Sequence, residues 1–148
     1  MRKEDFVWEL WQLTRELQKS RMGICAEFCK KYGITQQQVR ILLQIKASES
    51  TTLTDLAEEL DINPGNLSKT CKMLEEKGFI ARTRHAEDKR VWTIVLDKIG
   101  VEATDEISEH IREIFSVFSN NHNDAELESL LGLLREYSDF YNKSLKNK

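Results

Sequence analysis

The sequence predicts a mainly α chain with a small β-hairpin wing, a winged helix-turn-helix set between N- and C-terminal dimerisation helices. Three observations predict it. Two short amphipathic helices meet at a tight turn between Leu53 and Lys77, and two runs of strand formers with a charged tip between them follow at once. Long apolar stripes at helical spacing occupy both ends of the chain, and a single proline with six glycines in 148 residues leaves little to interrupt helices.

The elements follow in chain order. From Lys3 to about Lys31, Phe6, Val7, Leu10, Leu13, Leu17, Ile24 and Phe28 form one helical stripe, widened near its start by Trp8 and Trp11. Leu53, Leu56, Ala57 and Leu60 then mark a short one-sided helix. Thr52 is its N-cap and Asp55, three residues on, makes a pair resembling a capping box, while Glu58 and Glu59 face solvent. Asp61 and Ile62 lead to Asn63, an N-cap followed by Pro64 at the first helical position, where the missing N–H costs nothing. In the helix Asn63 to Lys77, Leu67, Cys71 and Leu74 share the core face, and Gly78 suits the left-handed position that ends it.

Phe79 to Arg84 and Arg90 to Leu96 read as two strands joined by the five residues His85 to Lys89. Beyond them Gly100 to about Ser119 carries Ile107, Ile111, Ile114, Phe115 and Phe118. After Asn120 to Asn123 a last helix carries Leu127, Leu130, Leu131, Leu134, Tyr137 and Tyr141. A reading head of this size cannot cover so many stripes, so a second copy that interlocks the terminal helices is the expected partner. The expected organisation is one domain, 1–148, with a winged helix-turn-helix at 34–97, its recognition helix at 63–77 and its wing at 79–96, and dimerisation helices at 1–33 and 100–148.

The face of the second short helix away from the core carries Gly65, Asn66, Ser68, Lys69 and Lys72, which are small or donate hydrogen bonds. With Asn63 at its start, such a face fits a major groove, reading base edges through Asn and Lys and phosphates through Lys and Ser. Arg82, Arg84, Lys89 and Arg90 make the hairpin tip basic, and Asp88 is placed to orient the Arg90 guanidinium through a bidentate pair. An arginine on such a hairpin enters the adjacent minor groove, most readily where A·T pairs narrow it.

Charge points the same way. From Asn63 to Trp92, seven Lys and Arg face four Asp and Glu, whereas the whole chain has a net charge of −3, so a positive patch sits on an acidic body. Forty per cent hydrophobic and 32% charged residues are ordinary for a soluble domain of this length. Neither a signal-like N-terminus nor an apolar run of roughly 18 residues is present, so the expected location is cytoplasmic, away from membranes. Phosphate loops, nucleophile elbows and His-Glu-x-x-His are lacking, and carboxylate pairs such as Glu58–Glu59 and Glu75–Glu76 lie on solvent faces, so no enzyme, cofactor or metal site is expected.

The run LTDLAEEL, the run INPGNLSKTCKMLEEKGFI, and Asp88-Lys89-Arg90 together resemble the MarR family of winged-helix transcription regulators over nearly the whole chain. By that likeness Arg90 is the minor-groove arginine of an Asp-x-Arg wing motif, with Asp88 as its support. Asp97 replaces a frequent Thr and still caps a helix, and Asp61 replaces a frequent Gly while tolerating the left-handed conformation. The resemblance implies a homodimer on a pseudo-palindromic duplex DNA operator, with half-sites about 34 to 36 Å apart. It also implies repression relieved by a small-molecule effector held between the dimer helices and the reading head, near Trp11, Arg15, Met22, Arg40 and His110.

Two other readings stay open. Cys25 and Cys29 lie four apart on one helix face and fit a thiol- or metal-responsive regulator, although family members that sense peroxide carry the cysteine nearer the start of the first helix. His110 has Ile114 one turn on rather than a second histidine, and His85 and His122 fall in loops. The other reading is a winged helix that serves as a protein-interaction module and does not read DNA.

Overall fold

The computed structural model describes residues 2–146. The outermost ends of the expected dimerisation helices, residues 1, 147 and 148, lie outside the described residues. Among the described residues six helices and three short strands follow in the order α1 (Lys3–Tyr32), α2 (Gln36–Ser48), β1 (Thr51–Thr52), α3 (Leu53–Leu60), α4 (Pro64–Glu76), β2 (Ile80–Arg84), β3 (Trp92–Leu96), α5 (Lys98–Asn120) and α6 (Asp124–Lys146). The mainly helical class with a small antiparallel sheet is the one the sequence predicts. The chain divides between Ser108 and Glu109 into two compact units.

In the first unit the core is built where apolar periodicities meet. Ile41, Leu42 and Ile45 of α2, Leu56 of α3, and Leu67, Cys71 and Leu74 of α4 are fully buried, together with Ile94 of β3 and Ile107 of α5. Helix α2 starts at a full capping box: Thr35 Oγ1 accepts from Gln38 N at 3.2 Å and Gln38 Oε1 accepts from Thr35 N at 2.9 Å. At α3 the Thr52 hydroxyl accepts from Asp55 N at 3.2 Å, but the reciprocal bond of a capping box is lacking. Thr52 belongs at the same time to β1, a strand the sequence reading missed.

The sheet runs β1-β3-β2, all antiparallel, with Thr51 opposite Ile94 and Arg84 opposite Trp92. Strand β2 begins at Ile80 rather than Phe79 because Phe79 still finishes the helix: its N–H reaches Leu74 O at 2.9 Å while Gly78 N reaches Glu75 O at 3.0 Å, with Gly78 at φ +80°. Strand β3 begins at Trp92 rather than Arg90, so the wing connection is seven residues, 85–91. Helix α5 packs its start against the wing. Phe79 O accepts from Asp97 N at 2.9 Å, and a Cβ on Gly100 would stand 1.9 Å from that same oxygen.

Two α5 carboxylates tie it to the helices before the sheet. Glu106 takes Lys31 Nζ at 2.6 and 2.8 Å and the Tyr32 hydroxyl at 2.5 Å, and Asp105 pairs with Lys46. In the second unit α6 is capped by Asn123, which exchanges hydrogen bonds with Glu126 at 3.0 and 3.1 Å. From Glu109 onward every described side chain is exposed or half-buried, and Phe115, Phe118, Leu130, Leu131, Leu134 and Tyr141 are each more than two-fifths exposed.

Candidate nucleic-acid interface

Helix α4 forms as a discrete element because its ends are fixed locally. Asp61, at φ 53° and ψ 48°, closes α3 in the left-handed conformation, and Ile62 N returns to Ala57 O at 3.0 Å. Two residues later Asn63 Oδ1 accepts from Gly65 N at 2.9 Å and Asn66 N at 3.3 Å, beside Pro64 in the first turn. Burial of Leu67, Cys71 and Leu74 then sets the rotation of the helix, and Gly65, Asn66, Lys69 and Lys72 are exposed on the other side.

Two of the residues expected on this face behave differently. The Asn63 carboxamide oxygen is taken by the cap, which leaves its amino group as the part free to meet a ligand. Ser68 is half-buried at the edge of the face rather than on its crest. The face also continues beyond the expected set. An open hollow of about 520 Å³ is lined by Asn63, Asn66 and Lys69 together with Gln37, Asp61, Ile62 and Thr70. Gln37 comes from the first turn of α2, and the Thr35–Gln38 capping signature was the clue that could have placed it there.

The wing tip is a compact turn. Asp88 O accepts from Val91 N at 3.0 Å and Asp88 Oδ1 accepts from Arg90 N at 3.0 Å, so Lys89 and Arg90 sit at the two central positions with exposed side chains. This corrects the expected role of Asp88. Its carboxylate accepts from the Arg90 backbone amide and so shapes the turn, and among the described residues it makes no ion pair with the guanidinium. His85 Nδ1 adds to the turn by accepting from Glu87 N at 3.3 Å and Asp88 N at 3.4 Å.

Arg82 and Arg84 are not free at the tip. Arg82 gives Nε and Nη2 to Glu75 Oε2 at 2.9 and 2.6 Å, and this hydrogen-bonded partner pushes its guanidinium pKa up. Arg84 lies 4.0 Å from the Trp92 ring centre and donates to Lys89 O at 2.5 Å. Among the described residues, the cations left without an ion pair on this surface include Lys69, Lys72, Lys89 and Arg90.

The residues expected around an effector do not gather within one unit. Trp11, Arg15 and Met22 are exposed along α1, with Trp11 and Met22 about 16 Å apart by helical rise. Arg40 is exposed on α2, and half-buried His110 belongs to the second unit. Burial pushes Cys25 and Cys29 up and raises Cys71 to about 11, opposite to the shift that makes a reactive thiolate. No group of three or more metal-ligating side chains occurs among the described residues. No helix among them is long and apolar enough to cross a membrane.

The MarR family model matches residues 34–92. The HTH-type transcriptional regulator SarZ of Staphylococcus saprophyticus is 27% identical over 116 residues, 78% of this chain and 76% of that protein. An HTH-type transcriptional regulator of Bacillus cereus is 30% identical over 109 residues, 73% of this chain and 72% of its own. Among solved structures, a MarR family transcription regulator superposes with a TM-score of 0.79 at 19% identity over 99% of this chain and 97% of its own. A mutant MarR of Escherichia coli complexed with operator DNA gives 0.67 at 20% identity over 93% and 99%.

Proposed function

The chain belongs to the MarR family of transcription regulators, and from that membership and the geometry of its reading head we propose that it binds a pseudo-palindromic operator as a homodimer and represses transcription there. The observation that carries the reading is the pairing of two presented surfaces on one unit. The open face of α4 offers Gly65, Asn66, Lys69 and Lys72, and the Asp88–Val91 turn offers Lys89 and Arg90. A helix face with small and amide side chains suits base edges in a major groove, and a projecting arginine suits the narrower groove beside it. That the relative from Escherichia coli was crystallised with operator DNA supports the same use of this fold.

Dimerisation is supported by the apolar surface left open. Phe6, Trp8, Trp11, Leu13 and Leu17 of α1 are about half exposed or more, as are Phe115, Leu131 and Leu133 of α5 and α6. Surfaces of that kind mark an interface, and two reading heads related by a two-fold axis demand two half-sites. Release by a small effector is part of this reading, and family membership supports it. It requires a ligand that binds the DNA-competent and DNA-incompetent states with different affinity.

The test is titration of the protein against its own promoter region and a scrambled duplex at two salt concentrations. Selective binding with a stoichiometry of two chains per operator, weakening steeply with salt as counterions are displaced, is the expected result. Equal affinity for both duplexes would instead favour a winged helix used for protein interaction.

A further inference from the structure

We propose that Trp92 and Arg84 form a brace that holds the wing tip in its presenting conformation, which makes Arg84 a positioning residue and Trp92 the platform it rests on. The two residues are directly opposite in the β2–β3 ladder, so their side chains leave the same face of the sheet at the point where the wing begins. The Arg84 guanidinium lies 4.0 Å from the Trp92 ring centre, within the range of a cation–π contact. From there Nη1 donates to Lys89 O at 2.5 Å, inside the turn that presents Lys89 and Arg90. The turn's other hydrogen bonds come from its own residues, His85 Nδ1 and Asp88, and from the His85 N to Val91 O closure at 2.8 Å. Arg84 is therefore the side chain that ties the tip back to the strand.

The same ring has a second guanidinium near it. The Arg82 guanidinium stands 5.8 Å from the Trp92 centre and is held by Glu75 of α4, so an unbroken series of contacts runs from the recognition helix to the tip: Glu75, Arg82, Trp92, Arg84, Lys89 O. Trp92 is 41% exposed, which a large apolar ring at a strand end tolerates with two guanidinium groups near it. A guanidinium held by a ring face and a backbone carbonyl in this way is pre-ordered, and it spares the tip part of the ordering entropy that binding would otherwise cost.

The claim that the brace serves DNA binding rests on the reading proposed above, so the experiment has one arm with DNA and one without. In the DNA-free protein, amide hydrogen exchange at Arg90 and Val91 is compared among the parent, Trp92→Leu, Trp92→Phe and Arg84→Gln. Exchange about three- to tenfold faster in Trp92→Leu and Arg84→Gln, with Trp92→Phe close to the parent, is expected. Equal protection in all four proteins overturns the brace, and leucine serving as well as phenylalanine reduces Trp92 to ordinary strand packing and overturns it too.

In the second arm the same proteins are titrated with duplexes that carry A·T or G·C pairs at the outer positions, across a salt series. Trp92→Leu and Arg84→Gln are expected to lose about tenfold of the A·T preference while the slope of log K against log salt keeps the parent value. A slope smaller by about one in Arg84→Gln alone means that Arg84 touches a phosphate directly, and the positioning role falls. A parent that prefers no duplex sinks the DNA reading, and the exchange arm then decides the brace by itself.

Discussion

Arg82 donates two hydrogen bonds to a single oxygen of Glu75, from Nε at 2.9 Å and Nη2 at 2.6 Å, and so locks strand β2 to helix α4. Both side chains are about one-third exposed. The pair thus sets the position of the wing relative to α4, a spacing that any duplex gripped by both must match.

A cycle of Glu75→Gln, Arg82→Gln and the double variant measures that lock. Each single change is expected to cost about 0.5 to 1 kcal/mol, with the double variant little worse than either, because the partly exposed pair is screened by solvent. Urea unfolding reads the energies, and strict additivity of the two single changes would show that the residues act separately.

Arg90 and Lys72 should fail in different ways. Arg90→Ala is expected to weaken operator binding by about 1 to 3 kcal/mol, with the loss concentrated at outer A·T positions. Lys72→Ala should weaken all duplexes alike and lower the salt slope by about one. Fluorescence anisotropy over a set of operator variants separates them, and an Arg90→Ala protein that matches the parent on every variant removes the wing arginine from the interface.

Gly100 has no room for a side chain. A Cβ there would meet Phe79 O at 1.9 Å and Phe79 C at 2.9 Å, both backbone atoms, while the same oxygen holds Asp97 N at 2.9 Å. Gly100→Ala must therefore push α5 away from the base of the wing, at a cost of about 2 to 3 kcal/mol in thermal or urea unfolding. A variant as stable as the parent would mean that α5 shifts freely on the wing.

Legibility from sequence followed the range of the interactions. The cap at Asn63 and Pro64, the left-handed Asp61, the stop at Gly78 and the core face of Leu67, Cys71 and Leu74 depend on neighbours within a turn or two, and each was readable. Strand β1 was not, since Thr51 and Thr52 are extended only because β3, some forty residues later, pairs with them. Nor was the Glu75–Arg82 pair, whose partners are seven residues apart across a helix end and a strand start. For Asp88 the motif was readable and its bonding atom was not, because the turn geometry decides whether the carboxylate meets an amide or a guanidinium.

The Tyr32–Glu106–Lys31 cluster makes stability depend on pH at both ends. Tyr32 is pushed up to about 12 from an ordinary value of 10.0, chiefly by its hydrogen bond to Glu106. A raised value means that the folded state holds the proton more tightly, so this contribution is complete below pH 10 and is lost as pH climbs toward 12. Glu106 is held below the usual carboxylate range, first by Lys31 and then by Tyr32, so its contribution is present at neutral pH and lost in acid as the carboxylate protonates. Tyr32→Phe should flatten the alkaline arm of a stability profile, and an unchanged slope between pH 10 and 12 would refute the assignment.

The apolar faces give the last prediction. Leu131 is 49% exposed and Phe115 is 51% exposed, and charges placed on an interface core oppose association far more than they disturb a surface that was already in water. Leu131→Glu and Phe115→Glu are therefore expected to turn a dimer into a monomer in sedimentation equilibrium while helical content in circular dichroism is kept. Operator binding should fall with them, because a single reading head recovers only the contacts of one half-site and loses the advantage of the linked second one. A parent that sediments as a monomer, or variants that remain dimeric, would place the partner of these helices elsewhere than in a second copy of the chain.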